Sequence, residues 1–246
     1  MLTVVGLVLL GGCVPPEESE SGEEQVESTE TSAEDLFAVL RQSQELPGLE
    51  WRAVAMAEEL IARFSGTPLG DSASAMIADL RAREAAAAQA EEEAREAERL
   101  AAKWSYSVSQ DPMTSRETRT ATISSENTVN FAFPYQGEQR GTLTLRDHPT
   151  FGRDIIFRIE RGQLLCTSYS GCRVRIRFDE GAAQSWEAVG PSDNSSESLF
   201  MRNYDGFLPR LREADVVLVQ AEAYQEGSPI FEFRVGGFDF NRYSGR

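Results

Sequence analysis

The stretch Cys172-Arg173-Val174-Arg175-Ile176-Arg177-Phe178 alternates charged and apolar residues without a break. Successive side chains of a β-strand point to opposite faces of the sheet, so this alternation predicts a strand with one buried face. Val174 and Ile176 are expected to face a core, and the three arginines to face outward. Half-buried strands of this kind are typical of antiparallel sheets, which can expose one face to water.

The same period of two recurs along residues 104–242, where Gly and Pro between the runs favour hairpin turns over long crossovers. Between Ser195 and Glu213 the period is helical instead, with Phe200 and Phe207 on one face and Asp193 or Ser195 as the N-cap. About nine strands are expected, with clear alternation at Trp104-Tyr106-Val108, Val129-Phe131-Phe133, Leu143-Leu145, Ile155-Phe157-Ile159, Val217-Val219-Ala221 and Phe231-Phe233-Val235.

Residues 33–103 show helical periodicity instead. Ser32-Ala33-Glu34-Asp35 has the spacing of a capping box, and Pro47-Gly48 ends the first helix. A second helix follows, with Trp51, Val54, Leu60, Ile61 and Phe64 on one face, and a third runs from near Asp71 to about Lys103. The predicted class is therefore α+β: an N-terminal helical hairpin and long helix, then an antiparallel β-sandwich or open barrel with one covering helix.

The segment from Ala57 to Leu80 resembles tetratricopeptide-type helical hairpins, which implies a groove that docks a peptide. It is shorter than the three repeats of a free-standing array, which favours a local hairpin that packs on itself. The third helix also carries a heptad-like seam from Ala73 to Trp104. Because the seam is mostly alanine, it indicates a spacer or a weak coiled coil with weak self-association.

Residues 1–12 combine the apolar run Leu2–Leu10 with two glycines before Cys13, and the run is too short to cross a bilayer as a helix. Leu10-Gly11-Gly12-Cys13 resembles the lipobox of bacterial lipoproteins. The resemblance implies a cleaved signal peptide, an acylated Cys13 bound to the lipid membrane, and a place in the bacterial cell envelope. Val14, rather than Asp, favours the outer membrane by that family's sorting rule. The lack of Lys or Arg before the run leaves open a start upstream of Met1.

The chain has a formal charge of −16, with 24 Lys and Arg against 40 Asp and Glu. Nucleic acid is not expected as a partner, because binding its backbone needs clustered cations. Residues 1–103 hold 21 acidic and 8 basic side chains, whereas residues 104–246 hold 19 and 16. Much of the acidity follows Cys13, where residues 13–32 contain seven Glu and no cation. That composition predicts a disordered tether.

Cys166 and Cys172 flank the tip of a predicted hairpin, Gln163–Cys166 to Cys172–Phe178. In an exported protein such a pair favours a structural disulfide. A redox-active pair would be expected to have CxxC spacing and a helix N-terminus, and a zinc site would lack two ligands.

The three arginines at positions 173, 175 and 177 form a candidate binding patch on one sheet face, and Arg158 and Arg161 on the segment before it are expected to extend the patch. Arginine clusters recognise carboxylates and phosphates, so the patch would suit an acidic envelope protein or an anionic polymer. The alternative is a solvated strand face whose arginines pair with Asp or Glu across the strands.

No motif for a catalytic or cofactor site occurs, and we expect neither a cofactor nor a metal. His148 is interpreted as a turn residue beside Asp147. Trp104-Ser105-Tyr106, Phe178-Asp179 and Phe231-x-Phe233, with Gly162-Gln163 before Cys166 and Ser192-Asp193-Asn194-Ser195-Ser196, resemble a domain of uncharacterised bacterial envelope proteins, which implies no activity. We therefore expect a membrane-anchored binding or scaffold lipoprotein; the alternatives are an envelope hydrolase with a carboxylate- or Ser-based site, and a structural spacer.

Overall fold

The computed structural model describes residues 31–245. The described residues divide into two compact units, one that ends at Glu84 and one that begins at Ala85, so the division falls inside the third helix. The predicted boundary between the helical region and the β domain lies 19 residues further on, at Lys103. The helices are α1 (Ala33–Glu45), α2 (Glu50–Arg63), α3 (Pro68–Ala101), α4 (Tyr204–Glu213) and α5 (Phe240–Ser244).

The first unit is a helical hairpin closed by the start of α3. Ser32 forms the predicted capping box with Asp35, and the helices bury a core that includes Leu40, Ala57 and Leu60. Ala73 and Leu80 of the predicted alanine seam are buried in this core. Trp51, which the helical stripe assigns to the buried face, is 60% exposed. The placement of Trp51 is wrong, because the buried face of α2 contains Val54 and Leu60 of the predicted stripe together with Ala53 and Ala57, and Trp51 lies outside it.

The second unit contains an antiparallel sheet of nine strands, in the order β1-β2-β5-β6-β9-β8-β7-β10-β11. The sheet is open, with β1 and β11 at its edges, and β3 and β4 pair separately. The predicted α+β class, with N-terminal helices followed by an antiparallel sheet, is confirmed, and of the predicted sandwich and open barrel the single unclosed sheet fits the open barrel. The strands are β1 (Ser105–Gln110), β2 (Glu117–Ser124), β3 (Val129–Phe131), β4 (Gly137–Gln139), β5 (Gly141–His148), β6 (Gly152–Ile159), β7 (Cys172–Phe178), β8 (Gln184–Val189), β9 (Ser198–Met201), β10 (Val216–Gln220) and β11 (Ile230–Arg234).

The core of this unit lies on the inner face of the curved sheet, to which the strands from β2 onward in the nine-stranded sheet contribute alternate apolar side chains. Phe157 of β6 packs against Phe231 and Phe233 of β11, with ring centroids 5.4 and 6.3 Å apart. Helix α4 adds Phe207, which meets Trp186 edge to face at 5.8 Å. This helix is the covering helix that the sequence predicts. The apolar side chains of β7 point into this core. The arginines alternate with them along the strand and therefore lie on the outer face.

No helix among residues 31–245 is both long and apolar enough to cross a membrane.

Candidate functional site

Strand β7 carries its three arginines on the outer face of the sheet, as the alternation predicts. Val174 and Ile176 are buried, whereas Arg173 and Arg175 are exposed and Arg177 is half-buried. We call these three arginines the β7 arginine row. Most of their cross-strand neighbours are uncharged. Arg173 lies opposite Glu187 of β8, Arg175 lies between Ser185 of β8 and Gln220 of β10, and Arg177 lies opposite Leu218 of β10.

The β7 arginine row makes no ion pair with a carboxylate in the described part of the chain. Arg175 donates from Nη1 to the neutral Oε1 of Gln220 at 3.4 Å. Arg177 has a buried Nε with no acceptor. Of the three arginines, only Arg173 has an acidic residue directly opposite it, Glu187, and the two form no ion pair. The cations of the second unit that do form ion pairs there are Arg95, Arg99, Lys103, Arg119, Arg146, Arg153 and Arg234.

Two adjoining depressions in the protein surface run along β8, with volumes of about 320 and 500 Å³. We call them together the β8 groove. Glu187 and Arg202 line both depressions, Arg173 lines the larger, and Arg210 lines the smaller. The groove thus gathers three arginines around one glutamate, which leaves an excess of positive charge. Such a surface suits a ligand with several acidic groups.

Arg210 of α4 is held in place over the groove by its neighbours. Its guanidinium donates to the side chain of Gln184, and its Cζ lies 5.9 Å from the ring centre of Phe178 and 6.0 Å from that of Trp186. Cation–π contacts and a hydrogen bond together fix the direction of a guanidinium. Arg202 follows β9, and its backbone N–H donates to the carbonyl of Glu187 at 2.8 Å.

Sequence reasoning missed Arg202 and Arg210. It assigned residues 195–213 to a single helix, whereas Arg202 follows a strand that pairs with β6 and β8. Only correct strand boundaries would have placed Arg202 on the outer face beside β8.

Arg158 and Arg161 do not extend the β7 arginine row, so that part of the predicted patch is wrong. Arg158 lies on β6, and strands β9 and β8 separate β6 from β7. Arg161 follows β6 and donates to the carbonyl of Gln136 at 3.3 Å. Strands β6 and β7 follow one another in sequence. The chain between them passes through the disulfide loop, and the two strands are not neighbours in the sheet.

The sulfur atoms of Cys166 and Cys172 are bonded, and the Cα atoms lie 5.0 Å apart. Thr167 and Gly171 form an antiparallel bridge at the predicted tip, but the pairing of the predicted arms is wrong, because β7 pairs with β8 and β10 rather than with residues 163–166. The disulfide instead closes a loop that rests on the end of β8. A Cβ atom at Gly190 would lie 2.3 Å from the carbonyl oxygen of Cys166, so only glycine fits this contact.

His148 is the last residue of β5, opposite Gly152, rather than a residue of the turn that follows. Its Nδ1 accepts hydrogen bonds from the backbone N–H groups of Thr150 and Phe151, at 3.1 and 3.2 Å. Residues 31–245 hold no group of three or more His, Cys, Asp or Glu placed to bind a metal ion. Cys13, the predicted lipidation site, lies outside the described residues.

No protein-family model matches the chain, and no curated protein matches it. Among solved structures, it is similar to the crystal structure of invasion associated protein B from Bartonella henselae, with 13% sequence identity and a TM-score of 0.35. The similarity covers 58% of this chain and 90% of that chain. A similarity of this strength carries no functional conclusion.

Proposed function

We propose that the chain is a lipid-anchored protein of the bacterial envelope whose β domain binds an acidic envelope protein or an anionic envelope polymer. The observation that carries the proposal is the β8 groove, where Arg173, Arg202 and Arg210 make no ion pair with a described carboxylate. Guanidinium groups bind carboxylates and phosphates through paired hydrogen bonds, so a groove with three of them suits a ligand with repeated acidic groups.

Arginines elsewhere in the β domain support this interpretation by contrast. Arg146 is paired with Asp154 at 2.5 Å, and Arg153 is paired with Asp205 at 2.7 Å. These arginines are charge-balanced by the protein itself. In the groove, Glu187 lies opposite Arg173 across the strands without forming an ion pair, so the arginines there remain available to an external acid.

Binding to acidic polymers tests the proposal. Fluorescein-labelled poly-L-glutamate and polyphosphate serve as probes, and fluorescence anisotropy of the labelled probe measures affinity at several salt concentrations. We expect R173Q/R202Q to weaken binding at least tenfold and to flatten its salt dependence, because two charge-assisted contacts are lost. Tighter binding of one probe identifies the acidic group that the groove prefers.

The matched control is R158Q/R161Q, which removes the same charge from exposed arginines outside the groove. We expect this variant to bind within twofold of the wild type. If both double variants lose affinity equally, the binding follows net charge alone and the groove is not the site.

The anchor is proposed from the lipobox and is tested separately. We expect C13S, expressed in a bacterium with a lipoprotein-processing pathway, to lose incorporation of labelled palmitate and to leave the membrane fraction. Membrane recovery and palmitate labelling equal to those of the wild type would contradict anchoring at Cys13. This result would leave the binding experiment unaffected, because that experiment uses purified protein.

A further inference from the structure

A second pocket lies on the other side of β7, toward β10 and β11. It has a volume of about 200 Å³ and shares no lining residue with the β8 groove. We call it the β10 pocket. It combines two arginines with an apolar surface, and its lining residues are Arg175, Arg177, Ala183, Leu218, Gln220 and Ile230.

The two arginines of the β10 pocket form no ion pair among the described residues, and Arg175 is oriented by a hydrogen bond to Gln220. Gln220 donates from Nε2 to the carbonyl of Ser228 at 3.1 Å, which directs its Oε1 toward Arg175. Arg177 has its Nε shielded from water without an acceptor. A guanidinium without an acidic partner can form charge-assisted hydrogen bonds with an added acid through its Nη atoms.

The rest of the pocket is apolar and faces solvent. Leu218 is half-buried in the middle of β10, beside the edge strand, and Ile230 on the edge strand is 46% exposed. A cavity of about 150 Å³ lined by aliphatic side chains is large enough to hold a benzene ring. The pocket can therefore accept a short alkyl chain or a ring beside the arginines.

We infer that the β10 pocket binds an anionic amphiphile, a molecule with one acidic head group and a short apolar chain. The head group binds Arg175 and Arg177, and the chain lies over Leu218 toward Ile230. This goes beyond the proposed function, because the pocket lies apart from the β8 groove and selects an apolar group as well as a charge.

One acidic residue limits the affinity of this pocket. Glu232 of β11 lies opposite Leu218 in the sheet, on the far side of Leu218 from Arg177. It makes no ion pair with Arg177, so its negative charge opposes a bound anion. Replacement by glutamine is therefore expected to strengthen binding, which separates this pocket from a surface that merely attracts anions.

The test is a titration of the purified protein with sodium octanoate, followed by amide chemical shifts in NMR spectra. We expect a dissociation constant of about 1–10 mM, the range for a ligand of ten non-hydrogen atoms, with shifts centred on residues 175–177, 218–220 and 230. Octanol and acetate, which each lack one half of the amphiphile, are expected to bind at least tenfold more weakly. Octyl phosphate shows whether the head group preferred is a phosphate or a carboxylate.

Variants of the pocket decide between specific binding and general attraction. We expect R177Q and I230S each to weaken octanoate binding at least fivefold, E232Q to tighten it about twofold, and R158Q to leave it unchanged. The dispersion of each variant's spectrum shows that it is folded. Equal binding of octanol and octanoate, or unchanged octanoate binding by both R177Q and I230S, would overturn the inference. The polyanion experiment is unaffected by either result.

Discussion

The side chain of Asn127 makes hydrogen bonds along the outer edge of β11 that a neighbouring strand would otherwise make. Its Nδ2 donates to the carbonyl of Ile230 at 2.8 Å, and its Oδ1 accepts from the backbone N–H of Glu232 at 2.8 Å. The backbone N–H of Glu126 donates to the carbonyl of Glu232 at 2.7 Å. An unpaired strand edge is a template for association with other chains, so these bonds protect the edge of the sheet.

We expect N127A to lower the free energy of unfolding by about 1–3 kcal/mol, because two backbone groups of β11 lose their partners. N127D keeps the acceptor for Glu232 and loses only the donor, so its loss is expected to be smaller. Urea unfolding followed by tryptophan fluorescence measures both. The control is N241A, at an exposed asparagine whose side chain makes no hydrogen bond with residues 31–245. Equal losses in N127A and N241A would contradict the role of Asn127.

Single residues also show what the sequence can predict of the site. The outward direction of Arg173, Arg175 and Arg177 follows from local backbone geometry, so the alternation alone was enough to predict it. The position of Arg158 depends on the lateral order of the strands, which is set by pairing between distant segments. No local sequence pattern indicates that order, so the prediction that Arg158 belongs to the patch is wrong.

At the scale of elements, the start of α4 shows where two periodicities compete. Phe200 fits the helical spacing toward Tyr204, yet it lies on β9 and pairs with Ile156 of β6. The helix begins only after Asn203, which adopts a left-handed conformation with φ of 66° and accepts from the N–H of Gly206. The predicted N-caps Asp193 and Ser195 are therefore wrong. Pairing of β9 with β6 and β8 overrides the local helical pattern.

The last helix, α5, is attached to the β domain by a pair of buried tyrosines. The hydroxyl of Tyr204 on α4 donates to that of Tyr243 on α5 at 2.9 Å. Burial raises the pKa of both hydroxyls above the usual value. Both groups thus stay protonated in the folded protein at a pH where free tyrosine ionises.

This pair predicts a loss of stability in alkaline solution. Tyrosines of the unfolded chain lose their protons near pH 10, whereas the folded pair retains them, so the stabilisation is complete below pH 10 and falls as the pH rises above it. We expect the free energy of unfolding, measured in urea between pH 8 and 11, to fall less steeply in Y204F/Y243F than in the wild type. The exposed Tyr224 supplies the control, and a Y224F curve that falls as gently as the double variant's would contradict this explanation.

At the scale of the whole molecule, the last turns of α3 belong to the compact unit that contains the sheet. Lys103 pairs with Glu126 at 2.5 Å, and Glu96 lies 3.8 Å from Arg234. A Cβ atom at Gly236 would lie 3.1 Å from Cδ1 of Leu100, so the helix packs closely on the segment after β11. The change from helical to alternating periodicity at Trp104 marks where the secondary structure changes. It does not predict this packing, because Glu96 and Leu100 contact residues more than 130 positions away in the sequence.

Two fragments of the chain test where the folded unit begins. We expect residues 85–246 to unfold cooperatively, and residues 104–246 to be less stable by about 1–3 kcal/mol, because the shorter fragment loses the burial of Leu100 and two surface ion pairs. Urea unfolding compares the two. The variant L100A in the longer fragment should reproduce most of the difference, since apolar burial contributes more than exposed ion pairs. Equal stability of the two fragments would place the start of the unit at Trp104, where the sequence pattern changes.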